Sequence, residues 1–318
     1  MWRFIVRRLA FIPIIGIIIS AFVFVMLRAF PQITGDPAVN ICGMNCSPER
    51  LEVIRHELGL DRPIIVQYGE WMGDVLTGNM GTNYYGGLDI SHEIVRRLPV
   101  SIEIMLLTLV FGGTIGITFG ILSAVLRNSP LDYGMRFFAV FGQSLPDFFL
   151  LVLLIVIPSI LFNYAAPIGG YVAPWDDFWT NFRMFVPPTL ILSIGSAAGL
   201  MRLTRSTMLE VLRSDYVRTA QAKGLHPRAV ILRHAFRNTL APTITVLTFT
   251  LATAFGGALI LEVVMGIDGL GAFFFRSVIS RDLPVVQFTV LYTAMIVVFI
   301  NLLQDVTYAY IDPRVRFT

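Results

Sequence analysis

Charge is scarce in this chain. Of its 318 residues only 14% are charged, where a soluble domain carries roughly 25%. A fold of this length in water has a polar surface to furnish, so the composition excludes an ordinary soluble protein. Lysine is scarcer still, and Lys223 is the only one. A phosphate-cradling loop that ends in Gly-Lys-Ser/Thr needs its lysine in that setting. Lys223 instead follows Ala222 and precedes Gly224, so the chain holds no such loop. Cysteine is limited to Cys42 and Cys46 in one polar stretch, which excludes the disulfide framework of a small secreted domain. The net charge of +3 says little by itself, and no nucleic-acid partner is expected.

What is present is apolar. Hydrophobic residues make up 55% of the chain and the mean hydropathy is +0.72. A helix needs about 20 apolar residues to cross the hydrocarbon core, because its backbone groups must be satisfied internally there. Six segments reach that length: Leu9–Phe30, Val100–Leu126, Phe137–Phe162, Phe185–Met208, Ala241–Met265 and Pro284–Ile311. The first, led by Arg3, Arg7 and Arg8, also has the outline of a secretory signal. Its apolar run is longer than a signal's, and no small-residue cleavage pattern follows Phe30, so a retained span is expected.

Arginine placement sets the expected direction. The N-terminal Arg3, Arg7 and Arg8, the loop with Arg127 and Arg136, the segment 209–240 and the tail with Arg314 and Arg316 share one side. That side should be the cytoplasm, with both termini inside. The opposite segments carry Glu49, Glu52, Glu57, Asp61, Glu70, Asp74, Asp176 and Asp177. The expected organisation is an N-terminal end and first span over 1–30, an extracytoplasmic insert over 31–98, and a five-helix core over 99–318. The insert should hold two short helices. One is capped by Ser47 with Pro48 at its first position and stops near Gly59; the other runs from Asp61 to about Leu76. It is read as a cap over the mouth of the membrane part.

Segment 209–240 is the most informative. Leu209, Leu212 and Tyr216 recur at helical spacing, and Gly224 is a suitable helix stop. Pro227 should open a second short helix to about Asn238, rich in Arg228, Arg233, His234 and Arg237. Composition leaves two readings of this elbow open, a basic loop held by lipid headgroups and a protein-docking element.

Tyr216-Val217-Arg218-Thr219-Ala220-Gln221-Ala222-Lys223-Gly224-Leu225, followed by Arg233-His234-Ala235-Phe236-Arg237-Asn238, resembles the cytoplasmic loop of binding-protein-dependent ABC importer permeases. The resemblance is nearest to the first permease subunit of the dipeptide, oligopeptide and nickel branch. Arg218-Thr219-Ala220 stands where the general motif has Glu-Ala-Ala, Gly224 is in register, and the later Ile-x-Leu-Pro is not at its usual distance. Thr34-Gly35-Asp36-Pro37, Leu58 to Pro63 with Gln67-Tyr68, Ser144-Leu145-Pro146-Asp147-Phe148, Gly269-Leu270-Gly271, Arg281 to Gln287 and Asp312-Pro313-Arg314 agree with it along nearly the whole length.

The resemblance implies an all-α membrane protein with the six transmembrane helices of an ABC importer type I permease and a small helical extracytoplasmic insert. It implies a multi-pass place in the cell inner membrane among lipid. The expected partners are a second homologous permease subunit, two ATP-binding subunits and an extracytoplasmic substrate-binding protein. This chain itself would be no enzyme and would bind no cofactor, with ATP and Mg held by the partner subunits. The coupling residues would be Arg213, Tyr216, Arg218, Thr219, Ala220, Ala222, Lys223 and Gly224, seated in a groove of the ATPase. Ala220 and Ala222 would allow close approach, and Arg218 and Lys223 would meet carboxylates. The resemblance implies a translocation path for dipeptides or oligopeptides; the branch also moves glutathione, nickel complexes and oligosaccharides, and the residues here do not settle the choice.

Other residues carry narrower expectations. Gly112, Gly116, Gly120 and Ala124 form a small-residue stripe, for static packing or a sliding seam. Pro146 should kink the third span. Ser144, Pro146 and Asp147 are the candidates for the translocation path, Asp147 for a peptide amine. Glu103, Glu262 and Asp305 read as structural pairs. Cys42 and Cys46 should form a local disulfide on an oxidising outer side; a metal there would have only Met44 and His56 to add, so none is expected. A secondary transporter, the rival class, would show interrupted helices near the midplane or a denser set of intramembrane charges.

Overall fold

The computed structural model of the chain describes residues 2–30, 35–43, 46–165, 167 and 169–311. Thr34, Met44 and the Asp312-Pro313-Arg314 stretch with Arg316 lie outside them, as do the side chains of Arg3, Arg7 and Arg8. The described residues are helical apart from loops and one isolated bridge between Thr82 and Asp89.

Among the described residues, five helices are long and apolar enough to span a membrane: Leu9–Ala29, Ile90–Val125, Phe178–Leu212, Pro242–Met265 and Leu283–Thr307. A sixth crossing exists if two helices bent by 97° are taken as one. These are α6 (Pro130–Ser144) and α7 (Asp147–Phe162). The expected continuous span over Phe137–Phe162 is therefore corrected. Proline disfavours helical geometry in the residue before it, and Leu145 is extended at φ −101°, ψ 133° while Pro146 follows at ψ 136°. Two consecutive extended residues break the helix where one lost hydrogen bond would only have kinked it.

The chain divides into two compact units, residues 1–100 with 268–299, and residues 101–267 with 300–318. The first holds α1 (Trp2–Ala29), α2 (Pro37–Cys42), α3 (Pro48–Glu57) and α4 (Ile64–Thr77), with the first turns of α5 (Ile90–Val125). It also holds α11 (Leu270–Ser280) and most of α12 (Leu283–Ile311). Ser47 caps α3 by accepting from Arg50 N at 3.2 Å, with Pro48 at the first position. The next helix begins later than expected, at Ile64, because Pro63 is its cap and Asp61 instead accepts from His56 at 2.8 Å. Cys42 and Cys46 are disulfide-bonded with Cα atoms 5.4 Å apart. Trp71 of α4 lies between Phe24 of α1 and Phe288 of α12, with ring centroids 5.5 Å from each. At one end of this unit Asp268 accepts from Arg96 (2.8 Å), Arg97 (3.1 Å) and Arg276, while Arg97 also pairs with Glu93 and sits over the Phe273 ring.

The second unit holds the rest of α5, then α6, α7, α8 (Phe178–Leu212) and α9 (Asp215–Ala222). A single helical turn Pro227–Ala229 and a π-helical stretch Val230–Phe236 follow, running directly into α10 (Arg237–Met265). The second short helix expected to end near Asn238 is thus the widened start of a membrane helix. Along α5 the small-residue stripe meets α8 at backbone distance. A Cβ at Gly116 would come within 2.8 Å of the Ala197 carbonyl oxygen, and one at Gly120 within 2.9 Å of that of Met201. Only glycine permits that approach.

Candidate functional site

Segment 209–240 is built from the end of α8, α9, and the π stretch that opens α10. α8 ends at Arg213, whose N–H returns to the Glu210 carbonyl at 3.2 Å. Ser214 bonds its hydroxyl back to Val211 O, and α9 starts one residue later. The short helix is seated on its own chain: Val217 and Ala220 are buried against Val230, with Val211 and Leu212 completing the cluster. Three segments, α8, α9 and the π stretch, thereby share one apolar contact.

The helix closes at Gly224, whose φ is +73°. Leu225 N–H reaches back to Ala220 O at 3.4 Å and Gly224 N–H to Gln221 O at 2.9 Å, the two bonds of a Schellman ending. No atom lies within 4 Å of where a Cβ at Gly224 would sit, so the glycine answers to backbone conformation and not to crowding.

The seating sorts the candidate coupling residues into two faces. Arg213, Tyr216, Arg218, Thr219, Ala222, Lys223 and Gly224 are exposed. Arg218 lies 3.5 Å from Asp215 one turn away, with 70% of its side chain free, and Thr219 bonds Asp215 O on its own helix. Tyr216 accepts from Asn238 Nδ2 at 2.8 Å, which fastens α9 to the start of α10. Ala220 is on the other face. The close approach expected of it is made to Val230 of the same chain, so its small size serves the seating of α9, leaving Ala222 as the small residue on the open face.

α8 links this elbow to a second polar node that the sequence reading passed over. The Asp132 carboxylate on α6 is fully buried. It accepts from Arg205 Nε at 3.0 Å and Nη2 at 3.1 Å, from Ser123 Oγ at the end of α5, and from the Asn128 N–H at 3.0 Å. Arg136, one turn along α6, stands 3.4 Å away. A bidentate arginine and a hydroxyl satisfy the carboxylate's lone pairs, which makes a buried charge tenable. Arg205 lies seven residues before the end of α8, about 10 Å along its axis. Arg202, one turn nearer the middle of α8, donates to Gln143 near the end of α6. Both arginines sit inside or at the edge of an apolar run, and that placement was the available signal.

The remaining candidates are dispersed. Ser144 donates to Val140 O at 2.8 Å within its own helix and is exposed. Pro146 and Asp147 form the start of α7, with Asp147 half-buried beside Gly195 of α8. The structure groups these three at the break between α6 and α7. Glu103 accepts from Asn181 Nδ2 at 2.7 Å and from the Tyr171 hydroxyl at 2.9 Å. Burial, then the hydrogen bond to Glu103 and its charge, push the pKa of that hydroxyl up to about 12. Glu262 accepts from Ser101 Oγ at 2.5 Å, and Asp305 is half-buried and not without a partner.

The family described as binding-protein-dependent transport system inner membrane component matches residues 116–317, and its N-terminal companion matches residues 1–105. A Brucella abortus protein assigned to a peptide transport system as its permease is 37% identical over 317 residues, covering 100% of both chains. The dipeptide transport system permease protein DppB of Alkalihalophilus pseudofirmus is 35% identical over 334 residues, covering 98% of each. The fold is similar, with a TM-score of 0.57 and 19% identity, to a chain of the MetNI methionine ABC transporter solved in inward-facing conformations; the match covers 69% of this chain and 96% of that one.

Proposed function

Because the chain belongs to the family of binding-protein-dependent transport system inner membrane components, the multi-pass permease subunits of ABC transporters, we propose that it forms part of a peptide translocation path driven through α9 by separate ATPase subunits. The observation that carries this reading is the two-faced seating of α9. Its open face offers Tyr216, Arg218, Thr219, Ala222 and Lys223, while Val217 and Ala220 lock its back to Val211, Leu212 and Val230. A displacement of α9 is therefore delivered at once to α8 and to the start of α10. From α8 it passes to α5 and α6 through Asp132 and the glycine contacts, since close-packed interfaces move as bodies and do not deform continuously.

In this reading the arginine-rich segments, the elbow and both termini are cytoplasmic. Two ATP-binding subunits, a second homologous permease and an extracytoplasmic substrate-binding protein complete the transporter. Hydrolysis of ATP with Mg belongs to those ATP-binding subunits, and this chain contributes no catalytic residue. Peptides are favoured as cargo because full-length relatives carry peptide and dipeptide transport in their names.

The test is reconstitution in liposomes with the partner subunits and a labelled dipeptide or oligopeptide. ATP-dependent uptake should require every subunit, and Arg218→Glu with Lys223→Glu should reduce uptake at least tenfold while the permease still inserts. Undiminished uptake by that double variant would remove α9 from the drive path. Uptake of other solutes but no peptide would overturn the cargo alone.

A further inference from the structure

The exposed face of α4 has no role in the elbow or the path. The helix Ile64–Thr77 is three-sided. Tyr68, Trp71 and Val75 turn toward the protein, where the Tyr68 and Trp71 rings pack on Phe24 at 5.5 Å. Gln67, Glu70 and Asp74 share a polar side. The third side carries Ile65, Gly69, Met72 and Leu76, spaced four, three and four apart; Ile65 and Leu76 are 80% and 81% exposed, and Met72 between them is half-buried.

Two spans measure the depth at which this helix lies. Phe24 is five residues inside the end of the span Leu9–Ala29, and Phe288 is five residues inside the start of Leu283–Thr307. At 1.5 Å per residue both place Trp71 about 8 Å below the ends of the spans. The Tyr68 hydroxyl reaches deeper, to Ser20 Oγ at 2.9 Å. At the level of the span's end, Arg28 donates to Gln67 on the polar side of α4 at 3.1 Å and lies over the Phe24 ring.

We propose that α4 is an interfacial anchor, lying in the lipid–water boundary with Ile65, Met72 and Leu76 among the upper acyl chains and Glu70 and Asp74 in the headgroup water. Helices of this kind bury their apolar face about 5–10 Å into that boundary, which is the depth that both spans give. The occupant of the face is lipid because α4 packs along α1, a span whose Ile17, Ile18 and Phe22 are themselves exposed. A binding protein that leaves on every cycle would abandon Ile65 and Leu76 to water, an arrangement that soluble surfaces avoid. Part of the insert expected to cap the mouth thus serves to hold the outer end of α1 and α12 at a fixed height in the bilayer. The inference rests on membrane residence and not on the cargo.

The test places single cysteines at Ile65, Leu76, Glu70 and Asp74 in the reconstituted full transporter, labelled with bimane without reductant so that Cys42–Cys46 stays closed. At 65 and 76 the label should be quenched by phospholipids brominated near the carbonyl end of the acyl chain and several-fold less by aqueous iodide than at 70 and 74. Equal iodide quenching at all four positions would overturn the proposal in favour of a water-facing helix. Protection of 65 and 76 from both quenchers would overturn it in favour of a protein partner. Retained ATP-driven uptake in each labelled variant shows that the fold has survived.

Discussion

At the scale of single residues, Gly224 and Asp132 are held by opposite constraints. Gly224 meets nothing, yet its φ of +73° suits few side chains. Gly224→Ala should cost about 1 kcal/mol through backbone conformation alone. Gly224→Asn, which visits that region more readily, should retain more ATP-coupled peptide uptake than Gly224→Val, as read by the ratio of uptake to ATP hydrolysed. Asp132 is crowded by partners. Asp132→Asn leaves the Arg205 guanidinium without its counter-charge, and breaking such a pair costs about 3–5 kcal/mol. Thermal unfolding of the purified transporter should shift down markedly. Arg205→Lys, which keeps charge but loses the bidentate fork, should fall between the two. Gly224 was legible because a helix stop is a local event with a local residue signature. The Asp132 node was not, since Ser123, Asp132 and Arg205 come from three helices and nothing in their spacing pairs them.

Helices were read well where periodicity continues and poorly where it is interrupted. Every long apolar segment except Phe137–Phe162 corresponds to one long helix. That run looked uniform because Leu145 and Pro146 are apolar, and hydropathy does not register two extended backbone residues. The π stretch was hidden for a similar reason: Pro227 signals a helix start, but no residue type announces an extra residue per turn, so a continuous entry into α10 looked like a separate helix. The glycine stripe shows the reverse, a sequence spacing whose meaning needed the opposing helix. Gly116→Ala and Gly120→Ala drive a methyl group against backbone carbonyls and should lower the melting temperature and the yield of folded permease. Gly112→Ala should be milder, because its nearest neighbour is the Ser196 hydroxyl, which can rotate away. Equal losses at all three positions would contradict the backbone contact.

Across the whole molecule, the scarcity of charge made membrane residence plain, and the few charges that remain are concentrated in nodes. Asp268 is one, shared by Arg96, Arg97 and Arg276. Its burial raises its proton affinity, but hydrogen bonds and charge from Arg97 and Arg276 outweigh this and hold it below the ordinary carboxylate range. A carboxylate depressed in the fold stabilises above its ordinary pKa, about 3.9, and that contribution fades as pH falls toward the lower folded value. Acid titration of the purified transporter should show a loss of thermal stability below about pH 4, diminished in Asp268→Asn. The division into two units, which joins residues 1–100 to 268–299, was not legible, since long-range pairing of helices leaves no mark on their individual composition.

The exposure of Lys223 at the end of α9 has a chemical corollary. Apart from the amino terminus, it carries the chain's sole primary amine, so when this chain alone is analysed after acylation of the intact transporter, its one modified lysine marks a single spot on the elbow. Its reaction rate becomes a direct gauge of whether a neighbouring subunit sits on that spot, step by step through the nucleotide cycle, without any engineered label.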